Sequence, residues 1–202
     1  MSEAAPGRGI AGKIGVTLLC VYLFAVALRI DGCYGAEGVA RDELPAAGPH
    51  VGEAFPSFTL PDVSGAKVAL HDLAGRAAIV TFVPSLDWSA PTKARVLDLA
   101  EAVAGRNDVR LVVILTRTAA TARSLTFVRE HQPPAFFLVD DAGLTERLGL
   151  QVPAPEDGPV ALPAVFVLDP NGAVLLRDVR KQPRVWLDPR AILAAAHLSP
   201  RA

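Results

Sequence analysis

The sequence predicts an α/β fold in which a central mixed sheet is flanked by helices. An N-terminal β-hairpin opens it, and a transmembrane or signal helix precedes it. Three observations predict this. Short apolar runs alternate with helix-periodic segments through the middle of the chain, the pattern of strands linked by crossover helices. Asp169-Pro-Asn-Gly172 then separates two apolar runs, which marks an antiparallel hairpin. Finally, Ile14 to Leu28 carries no charged residue.

The elements follow in order. Phe58–Leu60 and Lys67–Leu70 are short strands around a Ser64-Gly65 turn, hence a hairpin. Ala78–Val83 is apolar apart from Thr81 and reads as a buried strand. A helix follows from about Thr92, with Val96, Leu99, Ala100 and Val103 on one face and Asp98 and Glu101 off it. Val109–Leu115 is a second buried strand. Ala119–His131 is a second helix, stopped by Pro133-Pro134. Ala135–Val139 is a short strand and Gly143–Leu148 a short helix. Ala164–Leu168 and Ala173–Leu176 form the late hairpin, and Pro189–Leu198 closes the chain as a helix.

The chain has 202 residues, 51% of them apolar, and a formal net charge of −1. That length suits one domain with an extension. The near-neutral balance provides no basic face for nucleic acid. Arg177, Arg180, Lys181 and Arg184 form a basic cluster, read as a solvated strand end rather than an anion site.

Residues 1–35 read as a membrane segment, 36–50 as a tether and 51–202 as the folded domain. The 15 residues of Ile14–Leu28 span about 22 Å as a helix, short of the roughly 30 Å hydrocarbon core. Ile10–Lys13 and Arg29–Ile30 complete the span, with Lys13 and Arg29 reaching the interfaces. Arg8 and Lys13 precede the run, which favours a cytoplasmic N-terminus. An uncleaved signal-anchor and a cleaved signal peptide both fit, and the anchor is preferred because Arg29 and Asp31 interrupt the approach to any cleavage site. Either reading exports the domain, and the expected place is a bacterial inner membrane with the domain in the periplasm. The Gly- and Ala-rich stretch Ala36–His50 is the tether.

The element order resembles the thioredoxin fold with the N-terminal hairpin of peroxiredoxins and other redoxins of the AhpC/TSA type, over about Val51–Leu198. Val51-Gly-Glu-Ala-Phe-Pro-Ser-Phe-Thr-Leu60 is similar to the opening of those proteins, and His71-Asp-Leu-Ala-Gly-Arg76 to their step into the first core strand. Within the group, Pro84-Ser-Leu-Asp87 resembles the loop of thiol peroxidases, the atypical two-cysteine peroxiredoxins, which typically read Pro-Ser-(Ile/Leu)-Asp-Thr-x-x-Cys. Gly158-Pro159, Ala164-Val-Phe-Val-Leu-Asp169 and Asn171-Gly-x-Val174 resemble their later strands. In this register Trp88 replaces the Thr, Pro91 replaces the peroxidatic Cys, and Pro163 stands where an Arg is usual. The resolving Cys expected near Leu125 or Thr126 is absent.

A second register lays Trp88-Ser-Ala-Pro-Thr92 on the Trp-Cys-x-x-Cys motif of membrane-tethered thioredoxin-like thiol–disulfide proteins. Ser89 and Thr92 then occupy the cysteine positions, and Leu162-Pro163 supplies the cis-proline such a site uses. Both registers place the degenerate loop on Pro84, Asp87, Trp88, Ser89, Pro91, Thr92 and Pro163. In this superfamily a reactive Cys sits at the helix N-terminus, where free N–H groups and the dipole lower its pKa. The only cysteines here are Cys20 and Cys33. Cys20 lies inside the apolar run and reads as a small hydrophobe. Cys33 is an isolated thiol.

Peroxide reduction and disulfide exchange need sulfur as the electron donor, and a Ser or Thr hydroxyl forms neither a sulfenate nor a disulfide. A hydrolytic Ser89 needs a base within reach, and His50, His71, His131 and His197 are all remote in sequence. Both Ser89 and Thr92 suit a helix cap, and Asp87 suits acceptance of loop N–H groups. Copper-handling relatives use a Cys-x-x-x-Cys loop, and Leu86 and Ala90 fall on those slots, so no metal is expected. No other cofactor is expected. Trp88 reads as a binding anchor or as a cap on the core.

The expectation is therefore a membrane-tethered redoxin-like protein without its redox cysteines, serving as a binding or accessory protein for a protein partner. The resemblance to thiol peroxidases also implies a homodimer. The alternative is a thiol peroxidase or thiol–disulfide oxidoreductase that borrows Cys33, which stands 18 residues before Val51, within a tether reach of roughly 25 Å.

Overall fold

The chain divides into Met1–Arg41 and Asp42–Ala202. The computed structural model describes residues 46–86, 89–116, 121–152, 159–181 and 187–196, with 121–124 described by backbone only. All of these lie in the second unit. The apolar run Ile14–Leu28, and with it the anchor and signal-peptide readings, falls outside the described residues, as do both cysteines. Among the described residues no helix is long and apolar enough to cross a membrane.

Five strands make the central sheet, in the order β5 (Phe136–Val139), β4 (Val109–Leu115), β3 (Ala77–Val83), β8 (Ala164–Leu168) and β9 (Val174–Val179). β3, β4 and β5 run parallel, whereas β8 is antiparallel to both β3 and β9. The sheet is mixed, as the sequence predicts. β1 (Thr59–Pro61) and β2 (Lys67–Ala69) form the opening hairpin, followed by a 3-10 turn at Leu70–Leu73. A second small hairpin, β6 (Gln151–Val152) with β7 (Val160–Ala161), is new relative to the sequence reading. Two-residue strands leave no periodicity to detect. The helices are α1 (Ala90–Val103), α2 (Thr121–His131), α3 (Leu144–Arg147) and α4 (Pro189–Ala195).

Strand alternation sends side chains to two cores. Ala78, Val80 and Phe82 of β3 join Val112, Ile114, Ala164 and Phe166 on one face, against Phe55, Phe58, Leu60, Leu144 and Leu148. Ile79, Val83, Leu111, Val113 and Val167 point the other way, onto Val96, Leu99 and Val103 of α1, Phe127 of α2 and Ile192 of α4. Every residue of β3 is buried, so the apolar run seen in the sequence is a strand covered on both faces. Its one hydroxyl, Thr81, donates to the Ala164 carbonyl at 3.1 Å.

Short polar side chains close the turns. The Asp62 carboxylate accepts from the Ser64 and Ala66 N–H groups at 2.8 and 2.9 Å. Asp169 does the same for Asn171 and Ala173 at the late hairpin. Asp140 accepts from Leu144 and Thr145 at the start of α3, and Asp188 from Arg190 at the start of α4. Each satisfies N–H groups that a turn or helix start leaves open.

Packing extends upstream of Val51. Ala47 is buried, the Gly48 N–H donates to the Leu148 carbonyl at 2.8 Å, and Arg177 Nε donates to the Ala47 carbonyl at 2.9 Å. Gly48 has φ +77°, and a Cβ there would lie 2.6 Å from the Phe166 ring. That ring is the hub of an edge-to-face cluster with Phe55 and Phe82, at centroid distances of 5.3 and 6.1 Å. A residue other than glycine is excluded twice, by conformation and by space. Gly48→Ala should therefore lose about 1–3 kcal/mol, measured by urea denaturation. An unchanged midpoint would mean that this segment does not pack on the ring.

Candidate functional site

β3 and β8 are paired with Phe82 opposite Ala164. The residues just after β3 and just before β8 are therefore neighbours, and the structure sets Pro84 beside Pro163. With Thr92, Phe82, Leu162 and Lys181 they line a cleft of about 230 Å³, walled on one side by Val152, Val160 and Ala161 of the small hairpin. Backbone bonds hold the rim. The Arg180 N–H donates to the Pro163 carbonyl at 2.8 Å, and the Leu162 N–H to the Leu150 carbonyl at 2.7 Å.

The start of α1 forms the other wall. Ser89 is its N-cap, in extended backbone (φ −158°, ψ 155°), and its hydroxyl accepts from the Thr92 N–H at 3.3 Å. The two hydroxyls lie 2.9 Å apart. Pro91 sits in the first turn, exposed, where its missing N–H is harmless. Thr92 is only 1% exposed, and Ser85 and Leu86 are buried as well. Of the sequence-predicted residues, Pro84, Thr92 and Pro163 converge on the cleft. Ser89 reaches it only through Thr92, and Pro91 does not line it. Asp87 and Trp88 lie outside the described residues.

The sequence leaves the Leu162–Pro163 bond open; no cis peptide bond occurs among the described residues, and this one is trans. One sequence expectation is corrected. Among the described residues the basic cluster is not a solvated strand end: Arg180 is buried, Arg177 is half-buried against Ala47, and Lys181 is exposed, at the cleft. Arg184 lies outside the described residues.

The reason for Arg180's burial is a charge cluster that sequence reading missed. Asp178 and Arg180, two apart on β9 and its extension, point to the α1 side, where they form an ion pair at 1% and 3% side-chain exposure. Arg95 of α1 is buried with them, at 5% exposure. Burial pushes the Arg95 guanidinium down to about 10, although the charges of Asp178, Asp98 and Asp188 pull it upward. It stays a cation at neutral pH. Burial also pushes the Asp178 carboxyl above its ordinary range, with Arg180 opposing. One signal was legible: Arg95 follows Thr92 by three residues and precedes Leu99 by four, which places it on the buried stripe of α1. Nothing in the sequence pointed to Asp178 as its counter-charge.

Among the described residues no histidine is hydrogen-bonded to the hydroxyls of the loop. Among the described residues, the Ser89 hydroxyl is partnered by the Thr92 N–H and hydroxyl. His131 stacks on Phe127 at the end of α2, and His50 and His71 are exposed elsewhere. His197 lies outside the described residues. Among the described residues no three His, Cys, Asp or Glu side chains gather as a metal site.

A helix N-terminus, a proline-lined cleft beside it and a mixed five-stranded sheet define a redoxin of the thioredoxin-fold class. The family model described as the AhpC/TSA family matches residues 51–177, and the chain belongs to that family. No curated protein matches it. Among solved structures, a thiol peroxidase from Chromobacterium violaceum is similar at TM-score 0.65 and 20% identity, over 76% of this chain and 91% of that one. A peroxiredoxin-like protein from Aquifex aeolicus has TM-score 0.65 and 15% identity, over 74% and 88%. A chain described as the thiol:disulfide interchange protein DsbE of Chlorobium tepidum has TM-score 0.52 and 28% identity, over 73% and 98%. At 15 and 20% identity the first two likenesses speak to the fold alone.

Arg180→Met leaves the buried Asp178 carboxylate without its ion-pair partner, and should destabilise the domain by about 3–5 kcal/mol at neutral pH. Asp178 holds its proton more tightly in the folded state than at the unfolded value of 3.8. Its titration therefore favours folding most below that value, and the benefit fades as pH climbs through the folded value. Urea denaturation at several pH values checks both points, and an Arg180→Met midpoint equal to wild type would show that the cluster secures nothing.

Proposed function

We propose that this chain is a redoxin-family protein that has lost its redox cysteines and works as a membrane-tethered binding or accessory protein in a bacterial periplasm. Its partner docks on the face formed by Pro84–Thr92 and Pro163. The observation that carries this reading is how the two hydroxyls are used. At the positions where relatives are expected to hold reactive sulfur, Ser89 is engaged as a helix cap and Thr92 is closed beneath the surface. The same arrangement leaves an apolar cleft of about 230 Å³ with one lysine at its rim. A space of that size suits a single apolar side chain presented by another polypeptide. The charge-free run Ile14–Leu28 supports the tether.

A second reading rests on family membership: a thiol peroxidase or thiol–disulfide oxidoreductase in which Cys33 supplies the thiol. Cys33 would lack the helix N-terminus that activates a thiolate. Turnover of peroxide and of a disulfide by the full-length protein, by Cys33→Ser and by a chain starting at Arg41 separates the two. Background turnover in all three is expected. Activity in the full-length protein that both variants lose would establish the enzyme instead.

The docking face has its own test. Crosslinking in intact cells should capture a protein partner that Trp88→Ala loses. A partner set unchanged by Trp88→Ala would remove this face from the proposal.

A further inference from the structure

A larger cavity lies on the same face of the sheet but at its other end. Ala78 on β3 is part of its floor, whereas Phe82 lines the cleft by the loop. Four residues separate them, about 13 Å along a strand. The cavity measures about 500 Å³ and opens between the first hairpin, the 3-10 turn and the Asp169–Gly172 turn. A backbone bond from the Gly75 N–H to the Pro170 carbonyl, at 3.0 Å, joins two of its walls.

Its lining is divided by polarity. Phe58, Leu73, Ala78 and Leu168 make a buried apolar floor. Arg76 and Arg147, both exposed, stand at the rim. Arg147 is held there, because its Nη1 donates to the Ala142 carbonyl at 2.8 Å. That anchor leaves the Nε–Nη2 edge of the guanidinium, a two-donor fork matched to a planar carboxylate. The one carboxylate in the lining, Asp169, accepts from the Asn171 and Ala173 N–H groups at 2.8 Å each. Those bonds, the Ala173 one foremost, hold it below the ordinary carboxylate range. It is an ionised part of the turn and offsets one of the two arginines.

We propose that this cavity binds a small amphipathic carboxylate, its apolar body on the Phe58–Leu168 floor and its head group against Arg147 and Arg76. The volume lies within the range of small-molecule sites, as does the combination of an apolar floor with a few convergent polar groups. The site is separate from the loop and does not depend on how the loop is used.

Isothermal titration of the full-length protein with 4-phenylbutyrate, 4-phenylbutan-1-ol and inorganic phosphate tests this. The carboxylate should bind, and the alcohol and phosphate should bind at least tenfold more weakly. Arg147→Ala and Arg76→Ala should each weaken the carboxylate about tenfold or more, the value of a charge-assisted hydrogen bond. Arg147→Lys, which keeps the charge but loses the fork, should fall between wild type and Arg147→Ala. Lys181→Ala, at the cleft by the loop, should leave the affinity unchanged. All of these are exposed positions, and a thermal melt confirms that each variant folds. No binding of the carboxylate, equal binding of the alcohol, tighter binding of phosphate, or an affinity lost in Lys181→Ala but kept in the arginine variants would each overturn the proposal.

Discussion

β3 is hydrogen-bonded along both edges, parallel to β4 on one side and antiparallel to β8 on the other. Both faces are buried as well. Its position is thereby fixed in every direction, and the rest of the domain is referred to it. Its C-terminal end delivers the chain to the N-terminus of α1, and its pairing with β8 brings Pro163 beside Pro84. The proline edge of the cleft by the loop follows from that register. A one-residue slip of β8 would turn Phe166 to the helix side, remove the ring that Gly48 accommodates, and separate the two prolines.

The fold thus builds the place where redoxins do chemistry, whatever residues fill it. The helix N-terminus still supplies open N–H groups and positive potential, but the groups that meet it are a serine and a threonine. A hydroxyl at an N-cap accepts an N–H and satisfies the helix. A hydroxyl without an adjacent base is a poor nucleophile, and no histidine among the described residues stands against Ser89. Local stability and chemistry draw on the same few atoms here, and in this structure the Ser89–Thr92 hydrogen bonds engage them in the helix start.

How much of this was legible in the sequence depended on the signal each element leaves. β3, β4 and β8 were legible because a strand buried on both faces is a nearly continuous apolar run. α1 was legible because Val96, Leu99 and Val103 repeat at helical spacing. The turns at Ser64-Gly65 and Asp169–Gly172 carried the residues that such backbones demand. β6 and β7 were not legible, since two residues have no period. The packing of Ala47 and Gly48 was hidden by a composition that also suits a tether, and only the Phe166 ring, 118 residues after Gly48, gives that glycine its reason. In the loop, Pro84 and Pro163 were found through the resemblance, but Lys181 joins them through pairing geometry that no local pattern encodes. Arg180 was misjudged for the same reason. A basic run at a strand end reads as solvated unless its counter-charge, here Asp178 and the facing Arg95 helix, is known.

That buried cluster bears on what the scaffold preserves. Taking Arg95, Asp178 and Arg180 out of water is expensive, and the shift of Arg95 down to about 10 records the expense. Replacing a whole buried ion cluster with apolar residues is often neutral or stabilising, whereas removing one member is not. Stability is therefore a weak reason for such a cluster to be present. Orientation is a better one. Arg95 sits one turn into α1 and Asp178 on the last strand of the sheet. A buried charge that loses its counter-charge costs several kcal/mol, so the Arg95 side of α1 is favoured where it faces Asp178 on β9. The first turn of the same helix carries Ser89 and Thr92. Apolar packing holds the helix on the sheet, and the charges add a preference for which of its faces turns inward.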